Sequence, residues 1–127
     1  MFVKRLLQLN LIVSAIIALT YILLPGPTLA LYGIGNDSAA ISIAQYFGTA
    51  HVAFAVLVWI ALRSGQPSFL RALVVSFFAG DAIGTIVLLA TELRGIMNPM
   101  GWGLVGLSAL FALGYGYCVL RRLPTSA

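Results

Sequence analysis

The chain has 127 residues, of which 61% are hydrophobic and only 8% are charged. Soluble globular domains carry about 25% charged residues, so the composition indicates a membrane protein, in one domain spanning residues 1–127. The basic residues behind the net charge of +4 lie at the ends of apolar runs. That pattern argues against nucleic-acid binding, because no soluble basic face is left to do it. The single cysteine, Cys118, excludes an intrachain disulfide and a multi-cysteine metal site.

Four apolar stretches follow one another along the chain, and each is predicted to form a transmembrane helix. About 20 residues at roughly 1.5 Å per residue span the roughly 30 Å of a bilayer core. The predicted helices cover residues 6–24, 39–62, 69–91 and 99–120. The first stretch is longer than the roughly 7–15 apolar residues of a signal peptide, so it is interpreted as a helix of the mature protein.

Turn and capping residues separate these stretches. Pro25–Pro27 predicts the end of the first helix and a loop after it. Asn36–Ser38, Ser68 and Asn98 are the predicted N-caps of the next three helices, with Pro99 in the first turn of the last. The short connections predict an all-α, up-down-up-down bundle in which consecutive helices are antiparallel neighbours.

The basic residues predict the orientation of the bundle. Among the basic residues, only Arg94 falls at the same end of the bundle as the acidic residues Asp37 and Glu92. Glu92 and Arg94 are expected to form a solvated ion pair that contributes little to stability. By the positive-inside rule, both termini should be cytoplasmic in a multi-pass protein of the inner (plasma) membrane. The opposite, basic end of the four-helix arrangement carries Lys4, Arg5, Arg63, Arg71, Arg121 and Arg122.

Two ionisable residues, His51 and Asp81, fall close to the middle of the second and third apolar stretches. An aspartate at a helix centre in the bilayer costs roughly 2.5–3.5 kcal/mol, so such a residue is a candidate for function. Their similar distances from Arg63 and Arg71 place them at nearly the same depth. The two side chains are therefore expected to face each other within about 5 Å, directly or through one water molecule.

Three further polar residues belong to this candidate site. Thr85 is expected to donate to the Asp81 carboxyl group, and Gln45 and Thr49 add hydrogen-bonding capacity on the second helix. Four interpretations stay open: a structural contact between helices, a contact with a ligand such as a quinone headgroup, a proton relay, or no contact at all. Haem ligation by His51 is disfavoured, because the sequence has no second histidine to serve as the other axial ligand.

Small residues at helical spacing predict faces where helices pack closely. The candidates are Gly48, Gly80, Gly84 and Gly106. Packing inside the bundle and packing against a partner protein are both consistent with this pattern.

The sequence contains no motif that specifies a reaction, a metal site or a cofactor. We therefore expect a non-enzymatic protein without a cofactor, which serves as an accessory or structural subunit of a larger membrane complex. Its expected partners are membrane lipids and other integral membrane subunits. The competing hypothesis is a protein that binds or transports a lipophilic small molecule, such as a quinone, a lipid or a pigment, at a polar site in the midplane.

Glycine and aromatic positions also suggest a family resemblance. The pattern of Leu24-Pro25, Leu31–Gly33, Gly48 to Trp59, Gly80 to Gly84 and Asn98 to Trp102 resembles that of small bacterial four-helix membrane proteins of uncharacterised function. In length and helix number the chain is also loosely similar to DoxX-type, quinone-linked membrane subunits. The resemblance implies a four-helix membrane fold and brings no activity with it.

The predicted orientation can be tested with reporter fusions. Fusions at Ala127 and at Gly95 should report opposite sides of the membrane, with Ala127 in the cytoplasm, because the basic residues are at the end that holds both termini. A reporter active only in the cytoplasm, paired with one active only outside it, provides the measurement. The same location for both fusions would contradict the four-span topology.

Overall fold

The computed structural model describes residues 2–121, and every regular element in this range is an α-helix. Four helices are long and apolar enough to cross a membrane. This confirms the predicted all-α, four-span fold. The helices are α1 (Phe2–Leu23), α2 (Pro25–Leu31), α3 (Ser38–Ser64), α4 (Pro67–Leu93) and α5 (Gly101–Leu120).

The short helix α2 lies where the sequence predicted a loop. Helix α1 ends at Leu23 as expected, but Pro25 then occupies the first turn of α2 instead of starting an irregular segment. A proline is well suited to this position, because its missing N–H would have no intrahelical partner there. The Thr28 hydroxyl links α2 to the end of α1 by donating to the carbonyl oxygens of Leu24 and Thr20, at 2.6 and 3.2 Å.

Both ends of α3 follow local capping chemistry. The Asp37 carboxylate accepts from the backbone N–H groups of Ala39 and Ala40, both at 2.9 Å, as the predicted cap of α3. Gly65 ends α3 with a φ of 63°, in the left-handed region that glycine tolerates best. The expected cap at Ser68 is wrong, because α4 already begins at Pro67.

The long helices associate in two pairs: α1 packs along α3, and α4 packs along α5. Helices α3 and α4 are also in contact, as expected for consecutive helices, but they meet over a much shorter length. The four helices converge at the end of the bundle that holds the start of α1 and the end of α5, which we call the basic end. The buried cluster there consists of Leu7, Val58, Ala61, Leu73, Val74, Phe111, Tyr115 and Cys118.

At the opposite end, the two pairs bury separate sets of residues, with Ala18 and Ala44 in the first pair and Met97 and Val105 in the second. Asn98 joins the pairs at this end. Its backbone N–H donates to the carbonyl oxygen of Tyr32 at 2.9 Å, and its side-chain Nδ2 donates to that of Leu31 at 3.0 Å. The bundle is thus closed by apolar packing at one end and by polar contacts of one asparagine at the other.

Basic and aromatic side chains lie together at the basic end. The Arg63 guanidinium is 5.3 Å from the centre of the Trp59 ring, and that of Arg121 is 5.1 Å from the centre of the Tyr117 ring. Such cation–π pairs suit a membrane–water boundary, where aromatic rings and basic groups both concentrate. Arg122, the remaining basic residue of the predicted cluster, lies outside the described residues.

Glu92 is not the solvated partner of Arg94 that the sequence suggested. Its side chain is 8% exposed, and one carboxylate oxygen, Oε1, has no hydrogen-bond partner among residues 2–121. The carboxylate lies directly against Gly101 at the start of α5, where an added Cβ atom would overlap it. The positive end of the α5 dipole favours a negative charge at this position.

Gly48 provides a test of the α1–α3 packing. A Cβ atom there would lie 2.8 Å from the Ile22 side chain and 3.3 Å from the backbone oxygen of Ala18. We expect Gly48→Ala to lower the free energy of unfolding by about 1–3 kcal/mol, since a backbone atom cannot move aside cheaply. Denaturation in detergent, followed by circular dichroism, measures the change.

Gly80→Ala is the matched control, because nothing lies within 4 Å of a Cβ atom at Gly80. It should leave the stability unchanged or raise it slightly, by less than about 1 kcal/mol. Equal destabilisation by both substitutions would show that α3 does not contact α1 as described.

Candidate functional site

His51 and Asp81 lie at the middle of α3 and α4, and both are half-buried. No hydrogen bond or ion pair joins them; instead, the His51 Nδ1 atom is 3.1 Å from the carbonyl oxygen of Phe47. Because a carbonyl oxygen only accepts, this contact places a proton on Nδ1 and leaves Nε2 free. The expected direct hydrogen bond is not formed, and α3 and α4 meet over only a short length. A contact bridged by water stays a prediction.

Hydroxyl groups around Asp81 bind its backbone rather than its carboxylate. The Thr85 hydroxyl donates to the Asp81 carbonyl oxygen at 2.7 Å, and the Ser108 hydroxyl of α5 donates to the same oxygen at 3.1 Å. Thr85 and Ser108 are also 3.0 Å apart. The expected bond from Thr85 to the carboxyl group is thus replaced by one to the main chain, and this group of hydroxyls links α4 to α5.

The polar residues expected to support the site from α3 make other contacts. Gln45 Nε2 donates to the backbone oxygen of Ile22 in α1 at 3.3 Å. The Thr49 hydroxyl donates to the backbone oxygen of Tyr46 at 2.7 Å. Neither side chain forms a hydrogen bond with His51 or Asp81, so the five predicted residues do not form one connected network.

A continuous row of aromatic rings passes through His51, and the sequence analysis missed it. The His51 ring is 4.4 Å from Phe47 and 5.4 Å from Phe54, centre to centre. The row continues from Phe54 to Phe77 of α4 at 5.8 Å, and so crosses between the two helix pairs. Its other members are Tyr21 on α1 and Tyr115 and Phe111 on α5. The i, i+4, i+7 spacing of the α3 rings was the available signal.

One end of this aromatic row borders an apolar cavity of about 370 Å³ between α1, α2 and α3, which is open to the outside of the bundle. Tyr21 and Phe47 line the cavity, and Phe47 also contacts the His51 ring. Its walls carry almost no polar surface, which suits a hydrocarbon chain or another apolar group. The remaining lining residues are Leu29, Ile34, Ala40, Ile43 and Ala44.

The four glycines singled out in the sequence divide into two kinds. Gly48 closely approaches α1, and a Cβ atom at Gly84 would lie 3.5 Å from the Ser108 hydroxyl of α5. Nothing lies within 4 Å of a Cβ atom at Gly80 or Gly106. Gly48 and Gly84 thus lie at contacts between helices of the bundle. Gly80 and Gly106 instead lie on its surface, where no other side chain of the bundle covers them.

The geometry around His51 and Asp81 offers hydrogen bonding and apolar contact. Within residues 2–121, no three His, Cys, Asp or Glu side chains are grouped so that they could hold a metal ion. Comparison with known proteins found no match among protein-family models, curated proteins or solved structures.

The role of the Asp81 side chain can be separated from that of its backbone. Asp81→Asn should preserve the fold and its melting temperature, because no hydrogen bond within residues 2–121 ends on the carboxylate. Thr85→Val should cost about 0.6 kcal/mol, since it removes the hydroxyl that contacts Ser108 across α4 and α5. Unfolding of the purified variants in detergent tests both expectations.

The same Asp81→Asn variant distinguishes a structural role of the carboxyl group from a functional one. Normal assembly together with loss of the cellular phenotype would identify a functional carboxyl group. A large loss of stability would instead reveal a structural partner for the carboxylate and contradict the geometry described above.

Proposed function

We propose that this chain is a non-enzymatic integral membrane protein that packs laterally against the transmembrane helices of another protein, as an accessory or structural subunit. The observation that carries the proposal is the position of Gly80 and Gly106, whose small surfaces are not covered by the chain's own helices. Lipid tails are as apolar as leucine, so close packing around small residues is a main source of helix association in a membrane.

The surroundings of Gly80 support this proposal. Ala72, Ser76 and Gly80 recur at every fourth residue of α4, and all three are exposed. No hydrogen bond in the described part of the chain involves the Ser76 side chain. A second helix along this face would gain a close backbone approach and a hydroxyl partner.

The Asp81 carboxylate follows this face and receives no hydrogen bond from residues 2–121. An unpaired acidic group at the middle of a transmembrane helix is costly. A donor on a neighbouring subunit would reduce this cost.

We extend the proposal to the inner (plasma) membrane with both termini in the cytoplasm, which the basic residues at one end of the bundle support.

A second candidate function is the binding of a lipophilic small molecule, and a specific observation favours it. The apolar cavity shares Phe47 with the aromatic row, and the free Nε2 atom of His51 lies in that row. An apolar tail in the cavity and a flat polar headgroup near His51 would match this combination of surfaces.

Purification in a mild detergent, followed by native mass spectrometry, tests both functions. The accessory role predicts a stoichiometric protein partner that is lost on Gly80→Ile or Gly106→Ile. The bulkier side chains should weaken the complex by about tenfold or more, at about 1.4 kcal/mol per tenfold. Leu113→Ile is the matched control, because it exchanges one large exposed side chain for another.

Each outcome of this experiment has a clear meaning. A partner retained in both glycine variants, or a functional protein with no partner at all, would contradict the accessory role. A co-purifying quinone, pigment or lipid that disappears in His51→Ala would favour the second function instead.

A further inference from the structure

The His51 ring lies between two aromatic side chains of its own helix. Phe47 is one turn before it at 4.4 Å and Phe54 is one turn after it at 5.4 Å, centre to centre. Both neighbours are partly open to the outside of the bundle, with exposed fractions of 47% and 39%. An aromatic group from another molecule can therefore pack against this part of the row.

The hydrogen bond of the imidazole determines what its second nitrogen can bind. Nδ1 of His51 is 3.1 Å from the carbonyl oxygen of Phe47, which only accepts, so Nδ1 carries the proton. A second proton would place a positive charge at the middle of a membrane span, which is costly. Nε2 is therefore a hydrogen-bond acceptor, and it has no donor among residues 2–121.

The Nε2 atom is also accessible to a ligand. The polar side-chain atoms of residues 2–121 that are fully buried without a partner are Glu92 Oε1 and the Tyr115 hydroxyl, and Nε2 of His51 is not one of them. An acceptor that lacks a donor in an apolar environment is unfavourable. A molecule that brings a donor to this nitrogen is thus favoured over one that brings only acceptors.

The apolar cavity is joined to this site through one aromatic ring. Phe47 lines the cavity together with Tyr21, and it is also the nearest ring to His51 in the row. The cavity volume of about 370 Å³ suits a hydrocarbon chain, whereas its walls have almost no polar surface for a headgroup. A polar headgroup beside His51 and an apolar tail in the cavity are therefore within the length of one small amphiphile.

We propose that this site binds a phenolic amphiphile, whose ring hydroxyl donates to Nε2 of His51. The phenol ring packs against Phe47 and Phe54, and the hydrocarbon tail occupies the cavity. This ligand class rests on the second candidate function and narrows it. An oxidised quinone has carbonyl oxygens but no O–H group, so it does not supply the donor, whereas a phenol does. A site that bonds a ligand hydroxyl discriminates against an analogue that lacks it.

¹⁵N NMR of the imidazole tests the hydrogen bond directly, because His51 is the only histidine in the sequence. The full chain, labelled with ¹⁵N-histidine and carrying no histidine tag, is placed in lipid nanodiscs and titrated with para-nonylphenol. The Nε2 signal should move upfield and then saturate, as it does when an imidazole lone pair accepts a hydrogen bond. The matched probe is para-nonylanisole, in which a methyl ether replaces the O–H group, and it should not produce this shift.

Native mass spectrometry of the same samples measures how much of each probe is bound. The phenol should bind about fivefold to tenfold more tightly than the ether, which corresponds to roughly 1 kcal/mol for one hydrogen bond. His51→Phe keeps an aromatic ring at this position but removes the acceptor. In this variant the preference for the phenol should disappear.

A pair of neighbouring alanines tests the position of the tail. Ala40 lines the cavity, whereas Ala39 is exposed and does not line it. Ala40→Leu should weaken phenol binding several-fold, because the larger side chain fills part of the cavity. Ala39→Leu is the matched control and should bind the phenol as the unchanged chain does. Circular dichroism confirms that each variant is folded.

The possible results separate the donor requirement from the second function itself. Equal binding of the phenol and the ether would overturn the proposal while the second function stands, and so would a preference for the phenol that persists in His51→Phe. Bound phenol that leaves the Nε2 signal in place, or that binds equally well to Ala40→Leu, would also overturn it. Binding of neither probe would contradict the second function as well, because the cavity would then accept no apolar tail.

Discussion

In a membrane interior, a polar side chain without a hydrogen-bond partner is costly, and this cost shapes the bundle. Most of the hydroxyl groups described here meet it inside their own helix, as Ser42, Thr49 and Thr91 do by donating to a carbonyl oxygen three or four residues earlier. His51 does the same through Nδ1. Polar groups therefore contribute little to holding α3 against α4, and the packing of apolar and small residues determines which helices pair.

Hydropathy and short connections were sufficient to predict the fold, but they did not predict how extensively each pair of helices packs. The four spans and the Asp37 cap follow from composition and local chemistry. Helix α2 was missed because a proline that ends one helix can equally occupy the first turn of the next. The contacts of α1 with α3 and of α4 with α5 agree with the prediction from short connections. The short length over which α3 and α4 meet could not be derived, because helices that are apolar on all sides carry no periodic signal for the buried face.

The same limit explains what could be predicted of the candidate site. Distances along the chain gave the similar depth of His51 and Asp81, but not the rotation and separation of their helices. Sequence spacing likewise could not distinguish Gly48, which approaches α1, from Gly80, which faces outward. The aromatic neighbours of His51 on α3 were detectable from spacing, whereas the ring contact between Phe77 and Tyr115 depends on the packing of α4 against α5.

The pairing of the helices also has a consequence for the order in which the protein forms. Each pair consists of consecutive segments, and the first is complete once the chain has been synthesised as far as Ser64. Its packing around Gly48 needs no residue from α4 or α5. The N-terminal pair can therefore assemble during synthesis, and the C-terminal pair can then join it through the apolar cluster and Asn98.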